Sequence, residues 1–114
     1  MKKLIITLPL LLMACMITTE PGPVVVNYTI ELINGGMSMV YYVDNSGDLV
    51  AVECSGSDSV YQYEFEFESG DHIGAGAYPD ANSVVTVIIA ENGENVLTEY
   101  ILANEATVWY WTVK

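Results

Sequence analysis

The chain of 114 residues is long enough for one modest domain, and its 15 acidic residues far outnumber its three basic ones. A formal net charge of −12 repels nucleic acid and anionic lipid headgroups, so the composition excludes nucleic-acid binding and favours cationic partners. The sequence contains one histidine and lacks the nucleophile, zinc-ligand and phosphate-loop motifs of common enzymes. We therefore predict a non-catalytic protein with no cofactor and no dedicated metal site.

Residues 1–14 have the composition of a secretory signal peptide. Two lysines precede an apolar stretch, 4–13, which is too short to span a bilayer comfortably. The segment Leu12-Met13-Ala14-Cys15 resembles a lipobox, because a branched apolar residue lies three positions before the cysteine and a small residue directly before it. The resemblance implies cleavage between Ala14 and Cys15 and acylation of Cys15, which would anchor the protein in a membrane.

Cleavage would change both the charge and the cysteine chemistry of the chain. Loss of two lysines leaves Lys114 as the only base, so the net charge becomes 1 − 15 = −14. Acylation of Cys15 would remove the only disulfide partner of Cys54, which we expect to be a buried apolar residue. Residues 15–23 contain Pro and Gly without hydrophobic periodicity and are predicted to form a flexible tether. The folded domain is predicted to cover residues 24–114.

Residues 24–114 alternate apolar and polar side chains, with turn-forming residues about every 8–12 positions. The alternation is clearest in 60–68, and Asn92-Gly93 between two apolar runs predicts a hairpin. This pattern predicts an all-β domain, an immunoglobulin-like antiparallel β-sandwich of about 7–8 strands. The predicted strands, in chain order, are 24–33, 37–43, 49–54, 60–68, 72–78, 84–90, 95–102 and 107–113.

A second resemblance covers about residues 26–106. It is carried by Tyr28-Thr29-Ile30, Tyr42-Val43-Asp44-Asn45-Ser46-Gly47, Phe65-x-Phe67 before Gly70-Asp71, Ala75 and Ala77, and Val85-x-Val87-x-Ile89 with Asn92-Gly93. In these features the chain resembles the mycobacterial membrane protein small family and similar short lipoproteins of Bacteroidetes. It departs from them at Ser59-Val60, where relatives tend to carry Pro-Trp, and in having a lipobox where the mycobacterial proteins have an uncleaved helix. The resemblance implies a membrane-presented β-sandwich, as the accessory of an envelope transporter, and carries over no catalytic residue.

The candidate binding patch consists of aromatic residues that lie on both faces of their predicted strands. Trp109 and Trp111 alternate with Tyr110, and the pair Tyr41-Tyr42 repeats this arrangement. A sandwich strand buries only one of its faces, so part of this aromatic surface should be exposed. We predict that these five residues bind a partner or ligand, and packing under loops or the tether is the alternative.

Other groups have a functional and a structural interpretation. Asp44, Asn45 and Asp48 offer oxygen ligands for calcium, but a plain turn is favoured. Met37 and Met39 are predicted to share a face, as core filler rather than as a copper(I) site. A solvated face that discourages aggregation is favoured over a cation site for Glu64, Glu66 and Glu68. The tripeptide Asp58-Ser59-Val60 looks like a bacterial O-glycosylation motif.

Together these features predict a lipid-anchored, non-catalytic envelope protein that binds another envelope component. The alternative is a lipoprotein that binds a small ligand or calcium. Met16 follows Cys15 in place of the Asp that retains enterobacterial lipoproteins in the inner membrane. The outer membrane is therefore favoured, facing either the periplasm or the cell surface.

Overall fold

The computed structural model describes residues 22–56, 58–102 and 104–114, which form eight β-strands. The strands are β1 Val24–Asn34, β2 Met37–Val43, β3 Leu49–Glu53, β4 Val60–Phe67, β5 His72–Pro79, β6 Val84–Glu91, β7 Glu94–Ile101 and β8 Thr107–Thr112. The predictions about the signal peptide, Ala14 and Cys15 lie outside the described residues. No helix within those ranges is long and apolar enough to cross a membrane.

The strands form two four-stranded antiparallel sheets that pack face to face. The first sheet has the order β4-β1-β6-β7, and the second has the order β3-β2-β5-β8. The predicted all-β antiparallel sandwich is therefore confirmed. A constant-type immunoglobulin domain divides seven strands into four and three, so the immunoglobulin-like refinement stays a prediction.

The alternation in β1 explains the centre of the core. Val24, Val26, Tyr28 and Ile30 are buried, whereas the residues between them are half-buried. β1 has a neighbour on each side, pairing with β4 and with β6. Complete burial of an apolar side chain of this size contributes about 1.5–3 kcal/mol, so this strand is a main source of stability.

Small residues in β5 let the strands of the second sheet approach closely. Ala75 and Ala77 are fully buried in the core, so Gly74 and Gly76, which alternate with them, face outward. A Cβ atom on Gly76 would overlap the carbonyl oxygen of Thr107 and lie 2.7 Å from the Cα atom of Val108. The position therefore requires glycine because the backbone of β8 occupies the space of a side chain.

Two predicted turns are confirmed as hairpins. Asn92 and Gly93 have φ angles of 50° and 85° between β6 and β7, which are the left-handed angles of a type I′ turn. The turn 44–48 joins β2 to its antiparallel neighbour β3. By contrast, the connection at Gly35 and Gly36 carries the chain from the first sheet to the second.

Met37 and Met39 do not share a face, so that prediction is wrong. The register of β2 against β5 shifts between these two residues, as at a β-bulge. Met37 packs in the core, whereas Met39 is adjacent to the fully buried Val40 and therefore faces the other way. The extra residue reverses the alternation that the sequence pattern assumes.

Candidate binding surfaces

The five aromatic residues predicted as a patch are divided between the two sides of the second sheet. Tyr41 pairs with Gly76 and Tyr110 pairs with Gly74, so both tyrosines are on the outer side. The residues on the inner side are Tyr42, Trp109 and Trp111. Part of the aromatic surface is exposed, as predicted, at Tyr110 on the outer side and at Trp109 on the inner side, whereas binding by the patch stays a prediction.

The outer side of the second sheet is apolar over much of its area. We call this surface the aromatic face, formed by Met39, Tyr41, Leu49, Ala51, Tyr78, Val108 and Tyr110. Leu49 is 52% exposed, Tyr78 38% and Tyr110 62%. β5 contributes two glycines to its middle, and the Tyr110 ring lies over Gly74. Contiguous exposed apolar surface of this kind is typical of an interaction site.

Carboxylates are distributed unequally between the sheets. The strands of the first sheet contain Glu31, Glu64, Glu66, Glu91, Glu94 and Glu99. The strands of the second sheet contain Glu53 alone. The edge strand β8 carries no charge, although charged residues are a common protection of sheet edges. Glu53 pairs with Met39 and therefore lies on the side of the aromatic face, which carries fewer strand carboxylates than the first sheet.

Tyr42 belongs to an aromatic cluster that closes one side of the sandwich. Its ring stacks on Tyr63 with ring centres 4.0 Å apart, and the Phe65 ring is 5.6 Å away. Phe65 in turn contacts Tyr28 in the core. These contacts give Tyr42 a packing role between β2 and β4, so it is not part of the exposed aromatic surface.

Cys54 lies beside this cluster as a free, half-buried cysteine. Burial raises the pKa of its thiol, although a hydrogen bond with Tyr61 opposes that shift. A thiol with a raised pKa contains little of the reactive thiolate at neutral pH. The arrangement fits the predicted packing role and gives no sign of redox chemistry at this residue.

Trp111 lies on the opposite side of the sandwich, where β7 and β8 are the edge strands. Its indole Nε1 donates a 2.5 Å hydrogen bond to Oε2 of Glu91 on β6. The backbone N–H of Lys114 donates to the same oxygen over 3.3 Å. The Lys114 ammonium lies 5.1 Å from the centre of the Trp111 ring, within the range of a cation–π interaction.

The predicted calcium ligands form a hydrogen-bonded turn. Oδ1 of Asp44 accepts hydrogen bonds from the backbone N–H groups of Ser46, at 2.9 Å, and Asp48, at 3.0 Å. Across the described ranges, no three His, Cys, Asp or Glu side chains are grouped so that they could hold a metal ion. Glu64 accepts a 3.2 Å hydrogen bond from the Asn27 amide on an exposed surface. These contacts favour the structural interpretation of both acidic groups.

Sequence reasoning missed the association of Glu91 and Lys114 with Trp111. Twenty positions separate Glu91 from Trp111, and the two strands that carry them belong to different sheets. A local sequence pattern does not predict a contact between residues of different sheets.

Comparison with known protein families found none that matches the chain, and comparison with curated proteins found no relative. The resemblance to the mycobacterial family therefore stays a prediction.

Proposed function

We propose that this chain is a lipid-anchored envelope protein that acts without catalysis by binding another envelope component through its aromatic face. The observation that carries the proposal is the exposed aromatic surface of the second sheet, whose strands contain one carboxylate against six in the strands of the first sheet. The lipobox ending at Cys15 supports the anchor. An outer-membrane location and a role beside a transporter belong to the same proposal.

The uneven distribution of carboxylates favours association at the aromatic face. Burial of apolar surface is the dominant favourable contribution to most protein association, and aromatic residues are enriched at the cores of interfaces. Carboxylates on the first sheet repel acidic neighbours, whereas the second sheet imposes little such repulsion. A partner therefore meets the least electrostatic opposition at the aromatic face. Aromatic residues such as Tyr110 are also frequent among the side chains that dominate binding.

The anchor is tested by intact-mass spectrometry of the protein from its native membrane, together with cell fractionation. We expect loss of residues 1–14, addition of acyl mass and membrane association. A Cys15→Ala variant should show neither the added mass nor stable membrane binding. An unmodified full-length mass would overturn the anchor.

The binding surface is tested by affinity capture from detergent-solubilised envelopes, with quantitative mass spectrometry of the recovered proteins. Tyr110→Lys places a charge on the aromatic face, and Tyr100→Lys is a matched control because Tyr100 is 60% exposed on the first sheet. We expect an envelope protein that the wild type and Tyr100→Lys recover and Tyr110→Lys loses. Repeated recovery of the chain alone, or equal loss in both variants, would overturn the proposed surface.

A further inference from the structure

We propose that the cleft between β7 and β8 binds an organic cation, an ammonium or guanidinium group on an apolar stem. The cleft has a volume of about 490 Å³ and is open to solvent. Its lining residues are Glu91, Asn92, Glu94, Asn95, Val96, Trp111 and Lys114. This site is separate from the aromatic face, so it does not depend on the function proposed above.

The Trp111 ring already has a cation beside it. The ammonium of Lys114 lies 5.1 Å from the ring centre, and indole has the strongest attraction for cations among the aromatic side chains. The Lys114 side chain binds the ring as a ligand cation would, which shows that the ring accepts an ammonium group on an alkyl stem. A second cation would share the cleft or displace the Lys114 side chain.

The orientation of the Trp111 indole also favours a cation. Its only hydrogen-bond donor is already directed at Oε2 of Glu91, at 2.5 Å. The ring therefore presents its π face to the cleft, and not its N–H group. A neutral ligand that needs a donor, such as a sugar hydroxyl, gains nothing from Nε1, whereas a cation interacts with the π face beside Lys114 or in its place.

The side chains of the cleft favour an organic cation over a metal ion. Glu91 and Glu94 are the carboxylates of the cleft, and a metal ion such as calcium takes six to eight oxygen ligands. Of the side-chain oxygens of the cleft, Oε2 of Glu91 and Oδ1 of Asn92 already accept hydrogen bonds, so too few remain for such a shell. The half-buried Val96 and the Trp111 ring instead offer apolar contact to a hydrocarbon stem. The site thus combines a carboxylate for the charge with an apolar wall for the stem.

The test uses the full chain purified in a neutral detergent and follows the indole ¹⁵N–¹H signal of Trp111. Trp109→Phe assigns which of the two indole signals belongs to Trp111. The probes are spermidine, for a free polyamine, and trilysine amide, for a basic peptide segment. Trilysine amide with every amino group acetylated controls for the peptide backbone. Magnesium chloride at matched ionic strength controls for charge alone. We expect saturable shifts with the two organic cations, and the tighter binder identifies the source of the cation.

Three substitutions test whether the cleft is the binding site. Glu94→Gln removes a carboxylate from the cleft, whereas Glu66→Gln removes the same charge from an exposed position on β4. We expect Glu94→Gln to weaken binding by about three-fold or more and Glu66→Gln by less than about two-fold. Lys114→Gln frees the ring and should tighten binding by about two- to five-fold.

Three results would overturn the proposal. The first is the absence of a saturable shift with both organic cations. The second is an equal shift with magnesium at the same ionic strength, because that would reduce the effect to the general attraction of an acidic protein for cations. The third is equal weakening by Glu94→Gln and Glu66→Gln.

Discussion

The hydroxyl of Tyr28, on β1 of the first sheet, donates a 2.8 Å hydrogen bond to the carbonyl oxygen of Val43, at the end of β2 in the second sheet. The ring is fully buried, and it contacts Tyr42 and Phe65 at centre distances of 6.3 Å. The bond joins the two sheets by a directional contact where the remaining core is apolar.

Tyr28→Phe is expected to lower the free energy of unfolding by about 1–3 kcal/mol. The substitution keeps the ring and removes only the donor, so a buried carbonyl oxygen loses a partner. Urea unfolding followed by circular dichroism measures the change. Tyr100→Phe alters a 60% exposed tyrosine and should shift stability by less than about 0.5 kcal/mol. Equal midpoints for the two variants would contradict the role of the inter-sheet bond.

Alkaline pH is expected to destabilise the wild type more than Tyr28→Phe. Burial raises the pKa of Tyr28 above the ordinary value of 10.0. Above pH 10 the unfolded chain loses this proton while the folded chain keeps it, so the free energy of unfolding falls as pH rises. The full contribution is present below pH 10, and the slope above it approaches about 1.4 kcal/mol per pH unit. Urea midpoints of both proteins between pH 9 and 11.5 test this, and parallel curves would contradict it.

Gly76→Ala is expected to destabilise the domain by at least about 2 kcal/mol. The new methyl group would overlap the backbone of β8 at Thr107, and strand backbone yields less easily than a side-chain end. Gly56→Ala is the matched control, because nothing lies within 4 Å of its Cβ position. Thermal unfolding of both variants provides the measurement. A melting temperature for Gly76→Ala at or above that of Gly56→Ala would show that β8 can move away.

Asp44→Ala is expected to cost about 1–3 kcal/mol, because Oδ1 of Asp44 accepts two backbone hydrogen bonds in the turn between β2 and β3. Asp48→Ala keeps its backbone donor to Asp44 and should cost less. Calcium and magnesium chloride at equal concentration should raise the melting temperature equally, since both act on an acidic surface. A rise specific to calcium, and lost in Asp44→Ala, would restore the calcium-binding alternative.

The parts of the fold that the sequence predicts are those governed by local pattern. The buried side of β1 follows from simple alternation, and the turn at Asn92 and Gly93 follows from the left-handed backbone that these residues tolerate. Strand limits agree with the predictions to within one or two residues, as at β4 and β5.

The parts that sequence reasoning could not supply depend on contacts across the sandwich. Pattern alone does not say that Tyr42 packs on Tyr63 while its neighbour Tyr41 faces outward. It does not reveal the bulge at Met37, which changes facing without changing composition. It also cannot place Glu91 against Trp111, since that contact depends on how the two sheets pack. The candidate residues were visible in the sequence, but their partners were not.

The strands of the first sheet contain six carboxylates and those of the second sheet one, so the first sheet is the more acidic of the two. Packed sheets lie about 10 Å apart, which exceeds the Debye length of about 8 Å at physiological ionic strength. A charged surface therefore acts mainly on whichever sheet is nearer. Beside an anionic surface, rotation that brings the first sheet close is opposed more strongly than rotation that brings the second sheet close. The tumbling of the domain is then biased towards one orientation before any contact forms.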